Sequence, residues 1–219
     1  MADKNFTYPE YATSEQIADG VMHGIGLLLA LIGGGLLIAF SLGHVSTGLI
    51  IALFVYGLAI LASFAASACY HHTPWKHYRP TLRRFDHAAI YLKIAGTYTP
   101  LVVMLGSALG YVILAAVWAI AAFGVIAKLF FWSRQDRAGV WLYLLMGWLS
   151  VFLLYSMIPI LPWLSTGLIA TGGALYTLGV IFYFWDSLKF SNAIWHGFVV
   201  SASSCFFAAI ALATYSGAA

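Results

Sequence analysis

Charge is what this chain has least of. Asp, Glu, Lys and Arg together make up 8% of its 219 residues, against 63% hydrophobic ones, and the mean hydropathy is +0.92. So little polar surface cannot cover a water-soluble globule, and that class is excluded. Alternation of apolar and polar residues over about ten positions, the mark of a transmembrane barrel strand, is missing as well. The sequence therefore predicts an all-α membrane protein, because a helix satisfies its own backbone in lipid. Cysteine is scarce, with only Cys69 and Cys205, each inside an apolar run. They read as small core residues, not as a disulfide. The cationic excess of +3 is confined to short loops, where membrane topology accounts for it and nucleic acid does not. No linker, low-complexity tract or second domain stands out, so residues 1–219 read as one membrane domain. Residues 1–20 are polar and acidic, unlike a secretory leader, and read as an uncleaved cytoplasmic tail with an interfacial approach to the first span.

What the chain does have is apolar runs of the length needed to cross a bilayer, about 20 helical residues each. They are placed at residues 21–42, 48–70, 87–105, 109–131, 140–161, 164–185 and 193–212, which predicts a seven-helix bundle. Lys76, Arg79, Arg83 and Arg84 lie between the second and third runs, Lys128, Arg134 and Arg137 around the connection of the fourth and fifth, and Lys189 between the sixth and seventh. The other connections hold no Lys or Arg. The positive-inside rule then puts the N-terminus in the cytoplasm and the C-terminus outside. Trp75, Trp132, Trp185 and Trp195 fall at the inner interface and Trp163 at the outer one, as an aromatic belt requires.

In that frame the polar residues share one depth. Ser67 and His71 are four apart at the inner end of the second run, on one helix face. Asp86 opens the third run, Asn192 and His196 open the seventh, and His23 lies near the start of the first. A single histidine at this depth is readily explained by headgroup solvation. A set delivered by four helices marks a functional site, because polar groups in a bilayer are costly. Catalytic zinc takes three protein ligands and a water, with neutral imidazole a common ligand. His71 and His196 supply two, Asp86 and Ser67 suit the activation of water and the positioning of substrate, and the third ligand stays open. Lys93 is the one cation deep in a span, seven residues beyond Asp86 and so about 10 Å further along the helix. It is expected either to pair with Asp86, standing in for metal charge, or to snorkel alone.

These segments resemble the hemolysin III proteins, the bacterial branch of the progestin and adipoQ receptor (PAQR) family. The resemblance runs through residues 15–26 (EQIADGVMHGIG), 67–71, 85–100 (FDHAAIYLKIAGTYTP), 146–148, 172–183 and 192–198 (NAIWHGF). It implies seven helices with a cytoplasmic N-terminus and an intramembrane zinc site built on Ser67, His71, Asp86 and His196. Two positions depart from the family pattern: Asn192 stands where the first histidine of H-x-x-x-H belongs, and Phe206 replaces a further histidine. Asn192 is thus expected as a weak third ligand, with His23 and Lys93 in supporting positions. The class implied is a zinc-dependent hydrolase of lipid amides or esters in the cell membrane, the inner one of a Gram-negative cell, with membrane lipids as partners. A non-enzymatic sensor of lipid composition is the alternative. A pore-forming cytolysin ranks third, because the polar groups crowd one end of the spans instead of forming a continuous stripe.

Overall fold

The computed structural model describes residues 8, 11–131 and 138–216. Arg134, Arg137 and Trp132 of the charge and belt readings lie outside the described residues, as do Asp3, Lys4 and Glu10. Among the described residues there are eight helices and no strands: α1 Thr13–Ser41, α2 Thr47–His72, α3 Arg79–Leu105, α4 Ala108–Phe130, α5 Ala138–Trp148, α6 Ser150–Met157, α7 Trp163–Phe184 and α8 Ser191–Tyr215. Six of them, all but α5 and α6, are long and apolar enough to cross a membrane.

Two helices begin earlier than hydropathy predicts. The apolar part of α1 starts near residue 21, but the helix starts at Thr13; α3 starts at Arg79 instead of 87. Hydropathy finds the part of a helix that sits in hydrocarbon, whereas the backbone hydrogen bonds run on into the polar turns. Residues 13–20 are therefore continuous with α1. The buried stripe of α1 is Asp19, His23, Gly26, Ala30, Gly34, Leu37 and Ser41. The spacing of three and four is that of one helix face, and its first two members are ionisable.

The fifth apolar run is not one helix. It is interrupted at Leu149, between α5 and α6. The Tyr98 hydroxyl donates to the carbonyls of Met146 (2.5 Å) and Gly147 (3.3 Å), and the Ser150 hydroxyl donates to Gly147 at 2.6 Å. Side chains thus occupy the carbonyls that the next turn of helix would use, a recognised cause of a break.

The bundle is organised on α3, the most enclosed of the six long helices. It packs against α2 and α4 through a face that includes Ala88, Ala89, Ala95 and Gly96. At Gly96 a β-carbon would stand 2.6 Å from the Ala59 methyl of α2, so these helices cross too closely for any larger residue, the small-residue packing common in lipid. α1 packs on α2 and α8, and α7 on α8. The side chain of Glu15 ties two helix starts together, accepting from the backbone N–H of Ala12 (3.0 Å) and of Phe190 (2.8 Å). α1, α3 and α8 begin, and α2 ends, at the same end of the bundle. Both cysteines are free, as expected, but Cys69 is exposed on α2 instead of packed in the core.

Candidate metal centre

Asp19 is the hub of that end. Its side chain is buried, and four imidazoles from three helices face it. His196 Nδ1 lies 2.6 Å from Oδ1, while His72 Nε2 (3.4 Å), His23 Nδ1 (3.6 Å) and His71 Nδ1 (3.8 Å) surround Oδ2. The convergence follows from the register of the helices. Asp19 and His23 are one turn apart on the buried stripe of α1, His71 and His72 are the last residues of α2, and His196 lies one turn into α8.

Three of these histidines, His23, His71 and His196, place ligand atoms within 4.8 Å of one another. Each ring has polar partners of its own. Nδ1 of His196 is held by the Asp19 carboxylate (2.6 Å) and Nδ1 of His23 by the Asp19 backbone carbonyl (2.9 Å). Nδ1 of His71 lies 3.1 Å from both the Tyr8 hydroxyl and the Asn192 side-chain amide. Nδ1 of His196 and Nδ1 of His23 thus face acceptors, and with the proton there Nε2 of each is open to an ion, that of His23 3.1 Å from Ser67 Oγ; Nδ1 of His71 instead faces the Asn192 Nδ2–H donor. Histidines that ligate metals are held in this manner, with the second nitrogen bonded to a carboxylate, carbonyl or other polar group. The donor set therefore fits a metal ion.

The remaining sequence-derived residues fall around this group in different ways. Ser67 is 3.1 Å from His23 Nε2 and lines the same cavity as Asp86. Asp86 is buried on α3. Asn192 is found behind His71, as a partner of its Nδ1, and His23 occupies the third imidazole position. Lys93 does not pair with Asp86: its ammonium sits over the rings of Phe64 (4.7 Å) and Tyr176 (5.1 Å), and among the described residues no ion pair of Lys93 is found. The seven-residue spacing that suggested a pair leaves the two groups at different depths. Asp19 and His72 were missed in the sequence. Asp19 lies in the polar stretch before the first apolar run, and the one sign of its role is that it extends the buried stripe of α1 backward by one turn.

Tyr8 closes the group from the side of the chain's start. Its ring lies under the Arg79 guanidinium, 3.8 Å from the ring centre, and edge-on to Tyr70. Burial pushes its phenol well above the ordinary tyrosine range, so the hydroxyl stays protonated beside His71. Beneath the group a cavity of about 1030 Å³ extends between α2, α3, α5, α6, α7 and α8. Its polar end holds Ser67, His71, Asp86 and His196, and Leu101 and Ile169 are among the apolar residues further along its wall.

The comparisons with known proteins decide the family. The family described as "Haemolysin-III related" matches residues 11–207. This chain belongs to the haemolysin III family. It is 35% identical over 198 residues to the Hemolysin-3 homolog of Bacillus subtilis (strain 168), covering 90% of this chain and 93% of that one. It is 36% identical over 194 residues to Hemolysin-3 of Bacillus cereus, covering 88% and 89%. The monocyte to macrophage differentiation factor of Homo sapiens is 31% identical over 173 residues, 73% of this chain and 69% of that protein, which fits the wider PAQR family. As a haemolysin III protein with six long apolar helices, the chain is a multi-pass protein of the cell membrane. All of the residues placed around Asp19 except Tyr8 lie within the matched region.

Proposed function

We propose that this haemolysin III protein is a zinc-dependent hydrolase of membrane lipids, acting on an amide or ester bond at the polar end of its cavity. One observation carries the reading: three imidazoles whose ligand atoms converge adjoin a large, mostly apolar cavity that two of them, His71 and His196, line together with a serine and a carboxylate. Its volume is at the upper end of that of ligand pockets, about 300–1,000 Å³. Two carbon–nitrogen rings and a hydroxyl would suit many roles, but three neutral nitrogen donors with room for a fourth group suit catalytic zinc.

His23, His71 and His196 would hold the ion, with Asp19 fixing His196 and His23, and Asn192 and Tyr8 fixing His71. When bound, zinc supplies Lewis acidity at the reacting carbonyl and lowers the pKa of water. The other roles belong to the chain. Asp86 accepts a proton from the attacking water and returns it to the departing amine or alkoxide, so that a lipid amide and water give a fatty acid and an amine. Ser67, between His23 and Asp86, donates its hydroxyl proton to the substrate carbonyl oxygen. The apolar wall of the cavity accepts the acyl chain and excludes bulk water.

The reading includes seven crossings with the N-terminus in the cytoplasm. Residues 138–157, α5 and α6 taken together, span about 30 Å at 1.5 Å per residue, enough for the hydrocarbon core despite the break. The basic connections after α2 and α7 support the orientation. Membrane lipids are then the partners, and nucleic acid is not.

Purified protein supplied with lipid amides and esters is expected to release fatty acid, and His196→Ala to abolish that release together with bound zinc. Lipid remodelling that persists in cells carrying His196→Ala points instead to the non-enzymatic sensor.

A further inference from the structure

The histidine group has a second, outward face that the hydrolytic reading does not use. His72 ends α2 beside His71, and its side chain is 35% exposed, against 3% for His23. Its Nε2 is 3.4 Å from Asp19 Oδ2 and 3.3 Å from His23 Nδ1, and His23 Nδ1 is 3.6 Å from the same Asp19 oxygen. Three donor atoms thus form a nearly equilateral triangle. A tetrahedral ion bound at about 2.0–2.1 Å needs donors roughly 3.3–3.4 Å apart. The three edges match this within a few tenths of an ångström. Two imidazoles and a carboxylate are also a donor set zinc accepts, and the exposed side of His72 leaves a fourth position facing out of the bundle.

We propose that Asp19, His23 and His72 form a second metal site at the rim, which takes up a divalent transition-metal ion from solution and passes it to the inner group. The shared residue is His23. A neutral imidazole has one bare nitrogen, and the structure provides a partner for each tautomer. With the proton on Nε2, that nitrogen donates to Ser67 Oγ at 3.1 Å and Nδ1 is free for the rim ion. With the proton on Nδ1, that nitrogen donates to the Asp19 backbone carbonyl at 2.9 Å and Nε2 is free for the inner ion. The two sites therefore share one ring and are filled in turn. The inner group needs such a route: His71 and His196 are 11% and 9% exposed, and Tyr8 stands over His71. A buried metal site requires an entry path, and His72 is the member of the cluster that solvent reaches.

The existence of the rim site is independent of the hydrolytic activity; its role in loading rests on the inner metal group. Both are tested with full-length protein in detergent, stripped by chelator and reloaded with Co²⁺, whose visible absorption reports its ligands. His71→Ala/His196→Ala removes the inner group and is expected to retain one Co²⁺. Adding His72→Ala is expected to weaken that binding at least about tenfold, the scale of a lost metal partner. If the double variant, or His71→Gln/His196→Gln should the alanine form misfold, binds no Co²⁺ while the wild type does, the rim site is overturned and the inner group stands. His72→Ala alone is expected to reach the wild-type final stoichiometry at least about tenfold more slowly. Loading at the wild-type rate overturns the handover. A wild-type protein that takes up no Co²⁺ overturns both metal sites.

Discussion

Asp19 and Lys93 are both charges buried in long apolar helices, 4% and 7% exposed, and the bundle treats them in opposite ways. Asp19 is enclosed by four imidazoles, the nearest at 2.6 Å, whereas the Lys93 ammonium has aromatic faces at 4.7 and 5.1 Å and no carboxylate among the described residues. A charge in a bilayer demands partners or a route to water. The partners of Asp19 are imidazoles able to hold a metal ion, so its burial organises a candidate site. Those of Lys93 are aromatic rings, whose attraction for a cation is weaker than a carboxylate's but persists when desolvated. Lys93 lines the cavity wall, and no contact of its ammonium with the histidines is found among the described residues. Burial of a charged group thus does not by itself identify a site; the chemistry of its neighbours does.

The contrast is broken or sharpened by substitution. The largest effect is expected at His23, the third imidazole. His23→Ala should lower zinc affinity at least about a hundredfold, measured by competition with a chelator, the loss of a direct ligand exceeding that of a supporting group. Adding Asn192→His to that variant should recover part of the loss, because position 192 already stands beside His71. Asn192→His alone, with three imidazoles present, should change affinity less than about tenfold. Next comes Asp19→Asn, which keeps the shape but removes the charge that fixes His196; zinc should bind about 10- to 100-fold more weakly, or roughly 1.4–2.8 kcal/mol. The smallest effect belongs to Lys93→Met. It should leave zinc content unchanged and stabilise the bundle by about 1 kcal/mol, a few degrees in the thermal midpoint, because a costly ammonium is replaced by a side chain that fills the same space. Loss of zinc in Lys93→Met would show instead that the two charges form one unit.

Much of this was legible in the sequence, though unevenly. The all-helical membrane class followed from scarcity of charge, and most helix ends from hydropathy. That Ser67, His71, Asp86 and His196 share one end of the bundle followed from counting turns inward from basic loops. Three things did not follow. Asp19 was hidden because hydropathy ends a span where polarity begins, although the helix and its buried face continue. His72 was hidden because adjacent residues on a helix point about 100° apart, and its use depends on where α1 lies. The break at Leu149 was hidden because its cause is a hydroxyl on another helix, Tyr98, and no local pattern in residues 140–161 encodes it. The spacing of Asp86 and Lys93 misled for the opposite reason: seven residues share a face, but two turns of rise separate them.

The most direct measurement is zinc-edge X-ray absorption on the purified protein, with and without His23. Wild type is expected to hold one zinc with three imidazole nitrogens at about 2.0–2.1 Å, and His23→Ala to lose one imidazole shell or the ion itself. Stoichiometric zinc whose imidazole shells are unaltered by His23→Ala, or a wild-type protein devoid of metal after zinc-replete purification, would contradict a centre built on His23, His71 and His196.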